Sequence, residues 1–572
     1  MDDVDAVQAQ IARNMLTSGD WVSARLDGVK YLEKSPLKYW MMAVSFKVFG
    51  PYDWAARIPI SLSAILLCWS IHGLSRRYLG ATAALYAGLA TASAMGLWLF
   101  TRILIPDVAL TLSITAALGC FLRALEPDTK SWRLYALGMW ASIGVGLLLK
   151  GLIAAVFPVG TALAFLFVSG DWRSRQTWRR MYILPGVGAM LLIAAPWHIA
   201  ATLANPPYFD FTMHSESGSY RGFFWFYFFN EHILRFLNLR YPRDYNTVPR
   251  FSFWLFHFAW FFPFSAFFIR AVALPFRGTA PDARLRLLAL CWIGVVMGFF
   301  SLSTTQEYYS MPAYPAFAIL LGSAMAAAGD RAWKLSMRAT SVISAAAGVT
   351  CFILYAMAAK YPAPGDISQA LAHNPELYTL SLGHMGDLTI RSFAYLRIPL
   401  LIAGVAFAIG AIGGWSKIRL RAVLSFAVMM VLFYQASRQA LIAFDPYLGS
   451  RAIAEALLKS PDGGLILDDA YYEMSGLFFY TDRRALLLNG RFNNLEYGSY
   501  APGAPKVFID DPGFVARWNS ADRWYVASED EKVEHLRNLV GKANLHKVVG
   551  SGGKSLYVNG GTRAPRNLIP PS

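Results

Sequence analysis

Apolar runs of roughly 18 to 22 residues recur along the chain, each long enough to cross a hydrocarbon core about 30 Å thick. A helix of that kind satisfies its own backbone hydrogen bonds, so it can sit in lipid. About twelve such segments can be placed, near residues 57–75, 82–100, 106–124, 133–149, 151–169, 182–202, 253–273, 286–304, 308–328, 337–357, 397–415 and 419–440. Composition agrees: 15% of the 572 residues are charged, against about a quarter in a soluble chain. The sequence therefore predicts a polytopic α-helical membrane protein.

Short basic loops alternate with others. Arg76 and Arg77 follow the first segment, Arg123, Lys130 and Arg133 surround the third loop, and Arg173, Arg175, Arg179 and Arg180 lie in the fifth. Arg277, Arg284 and Arg286, then Arg331, Lys334 and Arg338, then Lys417, Arg419 and Arg421 continue the series. The positive-inside rule puts these six loops in the cytoplasm, and the even-numbered loops and everything after residue 441 outside. Topology thus accounts for the net charge of +16, and with no recognition motif beside it nucleic acid is not an expected partner. The N-terminal segment conflicts with this, because an even span count places Arg13, Arg25, Lys30, Lys34, Lys38 and Lys47 outside as well. A missing first span, the thirteenth, would remove the conflict. Cys68, Cys120, Cys291 and Cys351 fall in apolar segments and read as small buried residues.

Sorted by side, polar residues gather outside. In MDDVDAVQAQIARNML, Val7, Ile11 and Met15 recur at helical spacing and predict an amphipathic helix lying at the interface, with Asp2, Asp3 and Asp5 at its start. YLEKSPLKYW, residues 31–40, follows on that side, then Arg102 and Asp107, then Lys150 in a short turn. Seven successive aromatics, Phe223 to Phe229, predict an interfacial helix or a lid, followed by Asn230, Glu231, His232 and Arg235. Gln306, Glu307, Tyr308 and Tyr309 stand at another outer mouth. Ionisable groups at membrane depth are costly and mark cavities. Carboxylates in several outer loops, with cations and an aromatic cover, predict a reaction site at the outer surface.

The segments QIARNMLTSGDWVSARLDGVKYLEKSPLKYW, DWAARIP, RILIPDVAL, LLLKG, APWHIA, NEHILRFL and LSTTQEYYSMPAYP, in this order over roughly the first 320 residues, resemble the ArnT-like and protein O-mannosyltransferase-like GT-C glycosyltransferases. The resemblance implies thirteen spans, a periplasmic C-terminal domain and a polyprenyl-phosphate sugar as donor. The family's catalytic acidic pair falls on Val4 and Asp5, so either Asp3 or Asp5 takes that role, with Asp107 as the second carboxylate. Lys34 and Arg235 match phosphate contacts, and Lys150 joins them from the outer turn. Tyr31, Glu33, His232, Tyr308 and Tyr309 are expected in the substrate cavity, where Glu33 and His232 could also serve a divalent cation, although no ligand spacing compels a metal. Ser35 replaces the usual first proline, and Lys38 reads as an interfacial anchor.

Residues 441–572 change character. The runs GLILDD, ALLLNG, KVFIDD, RWYVAS and SLYVN predict a small α/β domain on the outer face, with Asp468 and Asp469 solvated at a strand end and a disordered tail, TRAPRNLIPPS. Residues 1–440 form the transmembrane domain in this reading. The expected function is transfer of a sugar from undecaprenyl phosphate to a lipid A-type, other lipid or protein acceptor, at the outer face of a bacterial inner membrane. A transporter or lipid flippase is the alternative, weakened by the absence of an inverted repeat and by charges that crowd one surface rather than the midplane.

Overall fold

The computed structural model describes residues 1–241, 248–303, 305–372 and 383–565, so residues 566–572 of the expected disordered tail lie outside the described residues. Helix α1 (Asp3–Ser18) comes first, then a short hairpin of β1 (Arg25–Leu26) and β2 (Val29–Lys30), then α2 (Leu37–Phe49). The bundle proper begins with α3 (Asp53–Leu79), α4 (Ala81–Ala92), α5 (Met95–Thr101), α6 (Asp107–Leu125), α7 (Trp132–Lys150) and α8 (Ile153–Ser169).

Every segment expected from the apolar runs appears as helix. Among the described residues, nine helices are long and apolar enough to span. The 82–100 segment is α4 and α5, bent by 46°, and α8 is a shorter apolar helix. The 253–273 segment is not one straight span: Arg250–Trp260 and Ser265–Ala271 meet at 113°. The break contains Pro263, which has no N–H to continue a helix. The last long helix runs from Arg419 to Leu448.

Asp2 caps α1 by accepting the Asp5 N–H at 2.8 Å, and Gly19 closes it in the left-handed conformation at φ 73°. The expected interfacial position is not found. Val7, Ile11 and Met15 are buried, and so are Asp3, Asp5 and Gln10, which a helix on lipid would expose to water. The helix is instead held between α2 and a C-terminal-domain helix, Ser475–Thr481. Since α1 docks on the C-terminal domain, the membrane path from α3 to Leu448 returns to the end where it began.

Among the described residues, the C-terminal domain has six strands: β3 (Gly464–Asp468), β4 (Leu486–Leu488), β5 (Phe508–Ile509), β6 (Trp524–Glu529), β7 (His546–Ser551) and β8 (Lys554–Val558). Their order is β5-β4-β3-β6-β8-β7, parallel from β5 to β6 and antiparallel beyond. β7 has no counterpart among the predicted runs. It is an edge strand and mostly exposed, so its sequence HKVVGS lacks a buried alternating face. Asp468 is not solvated at its strand end: it is buried and accepts from the Ser528 hydroxyl at 2.7 Å.

Candidate functional site

A cavity of about 430 Å³ opens at the end of the bundle opposite the arginine-rich loops. The segment before α2, the starts of α6 and α8 and the end of α7 contribute to its wall. The aromatic segment 222–237, the end of the Pro281–Leu302 helix and Tyr308–Tyr309 complete it. Lys34, Lys38, Lys150 and Arg235 line it together with the apolar side chains of Leu152, Val156, Phe236 and Phe299.

Lys150 ends α7, and its Nζ donates to Asp107 Oδ1 at 2.5 Å while lying 5.3 and 5.0 Å from the ring centres of Tyr308 and Tyr309. Asp107 is buried, and its second oxygen, Oδ2, has no hydrogen-bond partner among the described residues. A buried carboxylate oxygen left over in a cavity wall is a place for a substrate donor. Gly151 turns the chain at φ 76°, and a Cβ there would lie 2.2 Å from His232 Nε2. The sequence LLLKG is therefore a lysine held to a carboxylate, next to a glycine that admits the histidine.

The aromatic segment is helical, with Trp225–Leu234 hydrogen-bonded in the wider π pattern often found at functional sites. It is not an exposed interfacial helix: Phe223, Trp225, Phe226 and Tyr227 are buried, and Tyr497 of the C-terminal domain stacks on Phe226 with centroids 3.8 Å apart. The segment delivers Glu231, His232 and Arg235 to the cavity. Glu231 accepts from Arg240 at 2.7 Å and from Arg235 at 3.2 Å. Burial alone would raise its carboxyl, but Arg240, Arg235 and Lys34 outweigh burial and bring it to about 2. Arg235 also donates to the Tyr309 hydroxyl at 3.1 Å. His232 Nδ1 lies 2.5 Å from the Tyr227 carbonyl oxygen, which only accepts, so that nitrogen carries the proton. Burial lowers the His232 pKa.

In YLEKSPLKYW, Glu33 is buried, with Lys34 Nζ at 3.4 Å and the Tyr31 hydroxyl donating at 3.3 Å. Burial pushes its carboxyl up against the pull of Lys34, with Glu231 adding to the rise. Glu33 and Glu231 are thus driven in opposite directions by their surroundings. Tyr31 receives a hydrogen bond from Tyr472 of the C-terminal domain at 3.2 Å, and Ser35 shares a short one with Tyr227. Lys38 is not an interfacial anchor: it is 4% exposed and lines the cavity, because α2 packs between α1 and α3.

The two N-terminal aspartates do not line this cavity. Asp5 accepts the Leu104 N–H at 2.6 Å and a hydrogen bond from Arg57, which occupies both its oxygens. Asp3 accepts from Lys554 at 2.6 Å, from the Gly476 N–H at 2.6 Å and from Ser450 at 2.8 Å, so it ties α1 to the C-terminal domain. Val4, where the family's first acidic residue falls, is exposed. Among the described residues, no three His, Cys, Asp or Glu side chains are grouped as metal ligands.

The sequence profile of dolichyl-phosphate-mannose-protein mannosyltransferases matches residues 33–199. The chain is 27% identical over 528 residues to undecaprenyl phosphate-alpha-4-amino-4-deoxy-L-arabinose arabinosyl transferase 1 of Pseudomonas fluorescens, covering 88% of this chain and 81% of that one. The corresponding transferase of Erwinia tasmaniensis is 26% identical over 541 residues, 90% of this chain and 86% of that one. The crystal structure of ArnT from Cupriavidus metallidurans bound to undecaprenyl phosphate superposes with a TM-score of 0.76 at 22% identity, covering 99% of this chain and 95% of that one. The chain shares the fold of this ArnT over nearly its whole length and is similar in sequence to the aminoarabinose transferases.

In this chain, Lys34, Arg235, Lys150, Asp107, Glu33, His232, Tyr308 and Tyr309 come together in one cavity wall. Tyr31 stands behind Glu33, and Asp3 and Asp5 lie outside the wall. Tyr227 and Glu231, from the aromatic run and its polar end, also line it, as do Gln8, Ser35 and Lys38, which were not expected there. A signal existed for Glu231, which stands next to His232 in the NEHILRF run. None existed for Gln8, whose place depends on how α1 docks.

Proposed function

We propose that the protein transfers a sugar from an undecaprenyl-phosphate donor to an acceptor at the outer face of a bacterial inner membrane, with the arginine-rich loops in the cytoplasm and the C-terminal domain in the periplasm. The observation that carries this reading is the cavity in which Lys34, Lys150 and Arg235 share a wall with Leu152, Val156 and Phe299. A polyprenyl phosphate needs both kinds of lining, cations for the headgroup and an apolar track for the chain. The sugar named in the two transferase relatives is 4-amino-4-deoxy-L-arabinose, and a donor of that class fits.

In this reading the acceptor oxygen attacks the anomeric carbon and the bond from that carbon to the phosphate oxygen breaks. Negative charge returns to the phosphate as it leaves, where Lys34, Arg235 and Lys150 stabilise it. Asp107, through its unpartnered oxygen, orients a hydroxyl acceptor and takes its proton. A phosphate acceptor brings its own negative oxygen, and Asp107 then orients the sugar. Asp5 acts as a positioning residue, fixing the turn at Leu104 against Arg57. Residues 1–440 serve as the transferase body, and residues 441–572 brace the aromatic segment and YLEKSPL from outside. A transporter is not favoured, because the named relatives are transferases and the charged side chains of the cavity lie at one end of the bundle rather than midway along it.

Membranes containing the protein, supplied with radiolabelled undecaprenyl-phosphate aminoarabinose, test this reading. Wild type should label a lipid or protein acceptor, whereas Lys34→Ala and Asp107→Asn should not. Equal labelling by all three would overturn the proposed site.

A further inference from the structure

Lys38 differs from the other cations of the cavity. Lys150 faces Asp107 at 2.5 Å, Lys34 faces Glu33 at 3.4 Å and Arg235 faces Glu231 at 3.2 Å. Among the described residues, Lys38 donates to two neutral oxygens, Gln8 Oε1 at 2.6 Å and the Leu104 carbonyl at 3.2 Å. Among the described residues no carboxylate lies at ion-pair distance from it. Around it stand Lys34 in the segment before α2, Asp107 on α6, Asp5 on α1 and Lys150 on α7, and the ring of Tyr39 on its own helix lies 4.6 Å away.

The donor count is decisive. A neutral amine has two N–H groups, and the protein supplies two acceptors. An ammonium has a third N–H, for which the described residues supply none, and a buried charge without a counter-ion is strongly disfavoured. Lys38 lines the cavity, so the remaining direction belongs to whatever the cavity binds. Asp5 keeps this arrangement in place, because it holds the N–H of Leu104, whose carbonyl is one of the two acceptors.

We infer that Lys38 is a further ligand of the donor phosphate, and that it takes up a proton from solvent when the lipid phosphate enters the cavity. The phosphate supplies both the missing acceptor and the missing negative charge. This inference rests on the donor reading given above. It adds that binding of the lipid is linked to pH through one lysine: with burial as the main cause, Lys38 is brought down to about 7 in the unliganded protein, and a neighbouring phosphate drives it up.

Calorimetric titration of the purified protein with undecaprenyl phosphate at pH 8, in two buffers of different ionisation enthalpy, tests this. At that pH a phosphate monoester, with a second pKa of about 6, is already a dianion and contributes little proton exchange. Wild type should take up close to one proton per lipid bound, and the uptake should shrink at pH 6, where the amine is already protonated. Lys38→Arg, with a charge that cannot titrate, should bind the lipid without that uptake, and Lys38→Met should bind it more weakly, also without uptake. Undecaprenol, which lacks the phosphate, should cause no uptake in wild type. Proton uptake by Lys38→Arg equal to that of wild type, or none by wild type, would overturn the inference while leaving the donor site standing. Failure of wild type to bind undecaprenyl phosphate at all would overturn the donor reading and this inference with it.

Discussion

Asp3→Ala is expected to loosen the C-terminal domain from the membrane body rather than to remove a catalytic group. Asp3 and Lys554 are both buried, 2.6 Å apart, and the same carboxylate accepts from Gly476 and Ser450. Truncating Asp3 leaves the Lys554 ammonium with the Gly449 carbonyl at 3.4 Å as its remaining partner among the described residues. Breaking a buried pair from one side costs about 3–5 kcal/mol. If opening is fast relative to cleavage, protease digestion near residue 449 should accelerate about 10²- to 10⁴-fold. Burial pushes the Asp3 carboxyl up in spite of Lys554 and the other donors, so the pair does not fully offset its own desolvation. The double variant Asp3→Asn with Lys554→Met, which leaves no charge behind, should therefore digest at close to the wild-type rate. Transfer activity should follow the same order, because α1 carries Gln8 into the cavity. Normal proteolysis but no activity in Asp3→Ala would return Asp3 to the reaction site and rule out a docking role.

Asp107→Asn should lower transfer about 10²- to 10⁴-fold, with little change in undecaprenyl-phosphate affinity, which a binding titration beside the transfer assay would separate. Gly151→Ala requires a left-handed alanine and places a methyl 2.2 Å from His232 Nε2, so thermal stability should fall by about 1–3 kcal/mol and transfer should be lost with it. Burial, with Glu529 beside it, raises Glu473 to about 7. An acid whose folded pKa lies above its unfolded value of about 4.3 weakens the fold as pH rises between the two. Glu473→Gln should accordingly stabilise the C-terminal domain at pH 8 more than at pH 5, as urea melts at the two pH values would reveal.

The membrane helices were legible because a span must be apolar along its whole length, and that is a local property. Asp107, Lys150 and Arg235 were legible for the opposite reason, as charges placed where lipid would reject them. Lys38 was misread because a lysine one turn after Lys34 on an apolar helix looks like a side chain reaching for headgroups. Only the packing of α1 and α3 around α2 turns it inward. Likewise, nothing near Asp3 in the sequence announces Lys554, and nothing near Phe226 announces Tyr497. These contacts depend on how parts distant in sequence dock, so they leave no periodic trace. The seven aromatics show the same limit: an unbroken run of rings predicts a lipid-facing cover, whereas the C-terminal domain buries several of them.

The proposed donor site requires the lysine- and arginine-lined cavity to hold the phosphate end of a polyprenyl donor. Photocrosslinking with undecaprenyl phosphate bearing a diazirine on the isoprene unit nearest the phosphate, followed by peptide mass spectrometry, tests it directly. The predicted adducts fall on residues 149–156, 233–237 and 299–300, the apolar side chains beside Lys150 and Arg235. Adducts confined to the separate cavity lined by Leu122, Leu125 and Pro127 at the arginine-rich end of the bundle would contradict it.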